Sequence, residues 1–132
     1  MAETPAEFIN GMGPTEAFGM EITAAADGRA TGRLDRQEAF CFETEAGPVL
    51  HGAVVFALAD NVGAAAGMSR YPEPEPAYTV DLRIDYLDAA RSDISAEADL
   101  LRYGRVASVA DIVVEDADSE AVAVARGSYR TI

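Results

Sequence analysis

The sequence predicts an α+β domain in which one antiparallel β-sheet wraps around one long central α-helix. Three observations carry that expectation. Residues Leu50 to Met68 read as one helix that is apolar on nearly every side, which calls for burial against other elements rather than one wet face. Beyond residue 77, four runs show apolar alternation or β-branched pairs, and the short connections between them imply antiparallel neighbours. No repeat and no second core pattern interrupts this order, so the 132 residues form one domain, 1–132, in which 1–14 are an N-terminal helix and loop.

The elements follow in order. Phe8, Ile9 and Met12 place an amphipathic face on a short helix from Glu3 to Met12, with Thr4 as N-cap and Pro5 in the first turn; Gly11, Gly13 and Pro14 end it. Phe18 to Ala26 and Arg29 to Asp35 form a hairpin over Asp27-Gly28, a favoured turn pair. Gln37 to Val49 reads as a loop leading through Gly47-Pro48 into the long helix. After the helix, Pro72, Pro74 and Pro76 alternate with Glu73 and Glu75, which makes a stiff, extended exit. The strands are then Tyr78 to Asp88, Ile94 to Tyr103, Val106 to Val114 and Ala121 to Tyr129. Turn signals at Ala89 to Ser92, Gly104 and Asp116 to Glu120 separate them.

Composition excludes several function classes. Apolar residues make up 49% of the chain, enough for a core, and no apolar run reaches membrane-spanning length without polar interruption. The start of the chain lacks a basic segment followed by an apolar one, so no secretory signal is visible and the expected location is cytoplasmic. One Cys (Cys41) and one His (His51) are too few for a disulfide framework or a structural zinc site, so no metal is expected. A formal charge of -13 argues against nucleic acid or an anionic membrane as partner. All ten basic residues are Arg, a residue type suited to planar contacts with phosphate and carboxylate, although a genomic bias in composition explains the pattern equally well.

The long helix also carries two polar groups that a core does not need, His51 at its start and Asp60 in its middle. A carboxylate on an apolar helix costs free energy unless it is paired, hydrogen-bonded or put to use. That layout, with His51-Gly52-Ala53-x-x-Phe56-x-Leu58-Ala59-Asp60, resembles the hotdog-fold thioesterases, and specifically the PaaI-like acyl-CoA thioesterases, whose central helix carries His-Gly-Gly-x-x-x-x-Leu-x-Asp. Thr79 to Leu87 and Gly104-Arg105-Val106-Ala107 are similar to two further family stretches, so the resemblance covers the chain beyond the N-terminal helix. It implies that Asp60 is the catalytic carboxylate, as nucleophile or as general base toward water. It also implies that the Gly52 amide polarises the thioester carbonyl and that Thr79 positions the carboxylate or the water. His51 is a support of the site. Ala53 stands in place of the second Gly. Glu45 stands where the family has Asn or Gln, unless the loop is shifted by one residue. A homodimer or homotetramer acting on an acyl-CoA, with no cofactor, is implied as well.

The residues themselves lead to compatible chemistry. Thioester hydrolysis needs a donor for the developing oxyanion and a group that delivers or activates the attacking oxygen. A helix N-terminus with a small residue at Gly52 supplies unpaired N–H groups; a carboxylate in apolar surroundings supplies the second group. Gly52 and Asp60 lie eight residues apart, which on one helix is about 12 Å of rise and about 80° of rotation. One helix is therefore a poor source of both groups, and two antiparallel copies across a two-fold axis would bring Gly52 of one protomer near Asp60 of the other. Arg102 and Arg105 near the Gly104 turn, with Arg126 and Arg130, are the pool for contacts to the CoA nucleotide, and solvated strand positions are the plainer reading of each. Thr79 alone is a β-former, Asp60 alone a structural carboxylate, and Cys41 a small buried hydrophobe. The rival functions are a non-catalytic acyl-thioester-binding module and a hotdog hydratase or dehydratase.

Overall fold

In the computed structural model, the described residues are 3–71, 75–104 and 106–131. The element expected at the N-terminus divides in two. Helix α1 (Pro5–Asn10) is capped by the Thr4 side chain, which accepts from the Glu7 N–H at 3.1 Å. Helix α2 (Gly13–Phe18) follows at once, with Pro14 in its first turn, and Gly19 closes it at φ 67°. Proline lacks only an N–H that a first turn leaves unpaired, so Pro14 starts a helix here rather than ending one. Asn10 then bonds to both N–H (2.7 Å) and C=O (3.1 Å) of Ile22, fastening α1 to the first strand.

Strands β1 (Met20–Ala26) and β2 (Arg29–Leu34) form the expected hairpin, beginning two residues later than expected because Phe18 and Gly19 complete α2. Asp27 (φ 54°) and Gly28 (φ 82°) are both left-handed, the geometry of the tight turn that the Asp-Gly pair favours. The expected loop at 37–49 is a correction. It holds a 3₁₀ turn (Glu38–Phe40) and a second hairpin of β3 (Cys41–Thr44) and β4 (Gly47–Leu50). Thr44 closes its turn by donating to the Gly47 carbonyl at 2.7 Å and accepting from the Ala46 N–H at 3.2 Å. Pro48 fits because a two-stranded ribbon leaves an edge with no ladder to feed.

Helix α3 (Gly52–Met68) starts two residues later than the apolar run suggests, with Leu50 in β4 and His51 as N-cap. Its other end is anchored through Ser69, which donates to the Ala66 carbonyl and accepts from the Gly28 N–H, both at 2.8 Å. Residues 72–74 of the proline-rich exit lie outside the described residues.

Strands β5 (Ala77–Tyr86), β6 (Ile94–Tyr103), β7 (Ala107–Glu115) and β8 (Ala121–Thr131) match the expected runs to within two residues at each end. With β1 and β2 they form one antiparallel six-stranded sheet in the order β1-β2-β6-β7-β8-β5. One expectation fails here: β5 and β6 are joined by a short connection but are not neighbours. The segment between them crosses beneath the start of α3, where Leu50 N–H bonds to the Ala90 carbonyl at 2.8 Å. Thus β6 pairs with β2 and β5 takes the edge beyond β8.

Helix α3 touches all six strands. Leu58, Ala59, Val62, Ala65 and Ala66 are wholly inaccessible and pack with Ile22, Leu34, Ala98, Ile112 and Val114. Each buried Leu, Val or Ile contributes about 1.5–3 kcal/mol relative to exposure. Close approach depends on small residues: a Cβ on Gly32 would stand 2.7 Å from Val62 Cγ2. Ala65 and Ala66 therefore mark tight helix–sheet contact, while Ala57 and Ala64 are only partly buried.

Candidate active site

The start of α3 leaves one first-turn amide without an acceptor among the described residues. His51 Nδ1 accepts from the Ala53 N–H at 3.0 Å, and the His51 carbonyl accepts from Val54 (2.9 Å) and Val55 (3.5 Å). Of the first-turn amides, only that of Gly52 has no acceptor among the described residues. The Tyr86 hydroxyl donates to the Gly52 carbonyl at 2.8 Å, and the ring lies so close that a Cβ at position 52 would stand 3.2 Å from Cζ. An apolar pocket of about 280 Å³ opens beside this amide, walled by Phe42, Val49, Leu50, Val55, Tyr86 and Val122.

Asp60 lies further along α3, partly buried, where the Thr79 hydroxyl donates to its Oδ1 at 2.6 Å. A β-bulge aims Thr79. The register of β5 against β8 slips between Thr79 and Asp81, leaving Val80 as the extra residue. Without the slip, strict alternation from Thr79 would turn Asp81 and Arg83 toward the helix; with it, Leu82 and Ile84 take those places. Tyr129, directly opposite Thr79 on β8, places its hydroxyl 3.4 Å from the Asp60 backbone carbonyl. Burial raises the pKa of Asp60 above its ordinary range, and the Thr79 and Tyr129 hydroxyls oppose this without cancelling it. The result is a carboxylate made more basic by its surroundings yet held in one orientation.

The structure thus brings Asp60 and Thr79 together, and His51, Gly52 and Ala53 together, as two groups separated along one helix. Glu45 is exposed at the tip of the β3–β4 hairpin and does not influence Asp60 within one chain. Arg102 is exposed and lines a cleft with Asp27, Arg29, Arg70 and Asp99; Arg105 lies outside the described residues. Arg126 is taken up by Asp111, with contacts of 2.7 and 3.1 Å. A cleft of about 400 Å³ on the outer face of the sheet includes this pair and Arg83–Asp85, two ion pairs whose charges answer one another. No three His, Cys, Asp or Glu side chains among the described residues converge to hold a metal ion. Tyr86 and Tyr129 were not singled out by sequence reasoning. The signal was present in Gly52, Gly63 and Gly127, glycines within regular elements whose missing Cβ makes room for those two rings.

A six-stranded antiparallel sheet closed over one helix that carries such a carboxylate defines a hotdog-fold protein. A sequence model of the thioesterase superfamily matches residues 47–123. A Halobacterium salinarum protein provisionally assigned as an esterase is 32% identical over 131 residues, covering 93% of this chain and 87% of its own. The chain belongs to the thioesterase superfamily, and thioester hydrolysis is its chemistry at that level. Among solved structures, a conserved Pseudomonas aeruginosa protein superimposes with TM-score 0.84 at 26% identity, covering 97% of this chain and all (100%) of that one. The PaaI protein of the Escherichia coli phenylacetic acid degradation operon shares the fold with TM-score 0.83 at 23% identity, over 95% and 88% of the two chains. A thioesterase of Haemophilus influenzae does so with TM-score 0.83 at 22% identity, over 100% and 92%.

Proposed function

We propose that this protein is an acyl-CoA thioesterase in which Asp60 performs the chemistry and the Gly52 amide stabilises the oxyanion. The observation that carries the reading is the 2.6 Å hydrogen bond from Thr79 to Asp60, a carboxylate raised in basicity on an otherwise apolar helix. Asp60 either attacks the thioester carbonyl, releasing CoA thiolate and leaving an acyl anhydride for water to open, or takes a proton from the water that attacks. In both routes negative charge develops on the carbonyl oxygen, and the Gly52 N–H is the donor left unspent to receive it. The apolar pocket beside Gly52 is then the place for the acyl group.

Gly52 and Asp60 of one chain are too far apart along α3 to serve one carbonyl, so the working unit is a dimer with two composite sites. The exposed edge of β5 supports this assembly. Tyr78, Val80 and Tyr86 are 45%, 57% and 52% accessible along a strand whose outer hydrogen-bonding groups lack a neighbour among the described residues. The test is thiol release from short-chain, long-chain and aromatic acyl-CoAs, run beside Asp60→Asn. Turnover that falls at least about 100-fold in the variant supports the proposal, and the panel identifies the acyl class. Equal inertness of both proteins, with acyl-CoA still bound, would replace it with a binding module.

A further inference from the structure

Tyr129 is 2% accessible and among the largest fully buried side chains, yet it ends in a polar hydroxyl. The molecule is built to admit it. A Cβ on Gly63 of α3 would overlap the Tyr129 oxygen, and one on Gly127 of β8 would stand 2.5 Å from it. Both glycines sit inside regular elements, where glycine costs about 0.5–1 kcal/mol relative to alanine, and both are spent on the same phenol. The register places Tyr129 directly opposite Thr79 on one side and Ser108 on the other. Two hydroxyls on adjacent strands thus converge on one residue of the helix: Thr79 on Asp60 Oδ1, and Tyr129 on the Asp60 backbone carbonyl at 3.4 Å.

Resting on the reading of Asp60 as the working carboxylate, we propose that Tyr129 is a positioning residue for Asp60: its hydroxyl fixes the turn of α3 that carries the carboxylate, and so the orientation in which Thr79 meets it. A phenol costs desolvation when buried and is retained where its O–H meets an acceptor. Burial and the neighbouring carboxylate both push the Tyr129 phenol far above its ordinary range, so at neutral pH it keeps its proton and acts as a donor. Thr79 from β5 and Tyr129 from β8 are the groups that face Asp60 and shift it. No charged side chain from β1, β2, β6, β7 or α3 itself contributes among the described residues, and the adjacent Asn61 is engaged by Thr15 at 3.0 Å. Removing the phenol proton therefore leaves Thr79 alone against the desolvation of the carboxylate.

The experiment is Tyr129→Phe, which keeps the ring in its slot. Asp60 is titrated by carbon-13 NMR of its carboxyl in wild type and variant, beside kcat, KM and their pH profiles on whichever acyl-CoA turns over. The expected result is an Asp60 titration and an acid limb of kcat that both move to higher pH. At the wild-type optimum kcat falls about tenfold, the scale of one lost hydrogen bond, with KM unchanged. An Asp60 titration that coincides in the two proteins overturns the proposal, including the case where Tyr129→Phe merely lowers thermal stability and kcat together. If wild type turns over no acyl-CoA but the Asp60 titration still moves, the coupling stands and the thioesterase reading falls.

Discussion

Thr79 on the edge strand β5 and Asp60 on the central helix are joined by a 2.6 Å hydrogen bond that spans 19 residues of sequence. The bond works against the burial of the carboxylate: desolvation raises the Asp60 pKa and the Thr79 hydroxyl lowers it in part. Thr79→Val keeps the β-branch and removes only the donor. The Asp60 pKa then rises further, so the acid limb of the pH profile of kcat/KM moves to higher pH, and activity below it falls about tenfold. Thr79→Ser keeps the profile in place. Overlapping profiles for wild type and Thr79→Val would remove Thr79 from the site.

Asp60→Asn is expected to lose activity and gain stability. A carboxyl whose folded pKa is raised holds its proton more tightly in the fold than in the unfolded chain. Its contribution to stability is complete below the unfolded pKa and is lost as pH rises through the folded value. At neutral pH wild type therefore carries the cost of an ionised, desolvated group and the amide does not. The thermal midpoint of Asp60→Asn should exceed that of wild type at pH 7, and the gap should close below about pH 4, where the carboxyl is protonated. A lower midpoint at pH 7 would mark Asp60 as a structural anchor.

The division between what was legible in the sequence and what was not follows the range of the interactions. Helix α3, its N-cap region and the odd carboxylate at Asp60 are local: a run of apolar residues and a polar residue within it. The Asp27-Gly28 turn is local as well, because both residues must adopt positive φ. The partner of β5 is not local, since alternation along Tyr78 to Tyr86 is the same whether the neighbour is β6 or β8. Hairpin β3–β4 was hidden by strands of four residues and by Pro48. Tyr129 sits 69 residues from the group it touches, and along its own strand it reads only as a β-former.

His51 is expected to matter through the helix start rather than through proton transfer. Its Nδ1 occupies the Ala53 N–H and its carbonyl occupies two more first-turn amides. His51→Ala should cost about 1 kcal/mol of stability, as loss of an N-cap does, while His51→Asn restores an acceptor of the right reach. Chemical denaturation separates the two variants. If His51→Asn is as stable as wild type yet inactive, the imidazole has a role in the chemistry itself.

Gly52→Pro isolates the oxyanion donor. Position 52 is the first residue of α3, where proline is tolerated, and His51 already has the extended backbone (φ -61°, ψ 138°) that a following proline requires. The substitution removes the one first-turn amide without an acceptor among the described residues, and the exposed Tyr86 ring must shift slightly to admit the new Cβ. The expected outcome is a loss of about 100- to 1,000-fold in kcat, the scale of one oxyanion donor, with the thermal midpoint close to wild type. Retained kcat would assign the oxyanion to another group.

Mixing the two inactive variants tests whether the site is shared between chains. In a heterodimer of Asp60→Asn and Gly52→Pro, one composite site combines the intact Gly52 of the first chain with the intact Asp60 of the second. The other site combines both lesions. Random exchange of equal amounts makes about half of the dimers mixed, each with one of two sites intact, so activity should recover to about a quarter of wild type. Each variant alone stays inactive, and recovery must follow the rate of subunit exchange rather than the moment of mixing. If Gly52 and Asp60 of the same chain served one carbonyl, no mixed dimer would contain an intact site and mixing would restore nothing. The eight-residue spacing along α3 argues for the first outcome, because about 12 Å of helix cannot be folded back to bring amide and carboxylate onto one carbon.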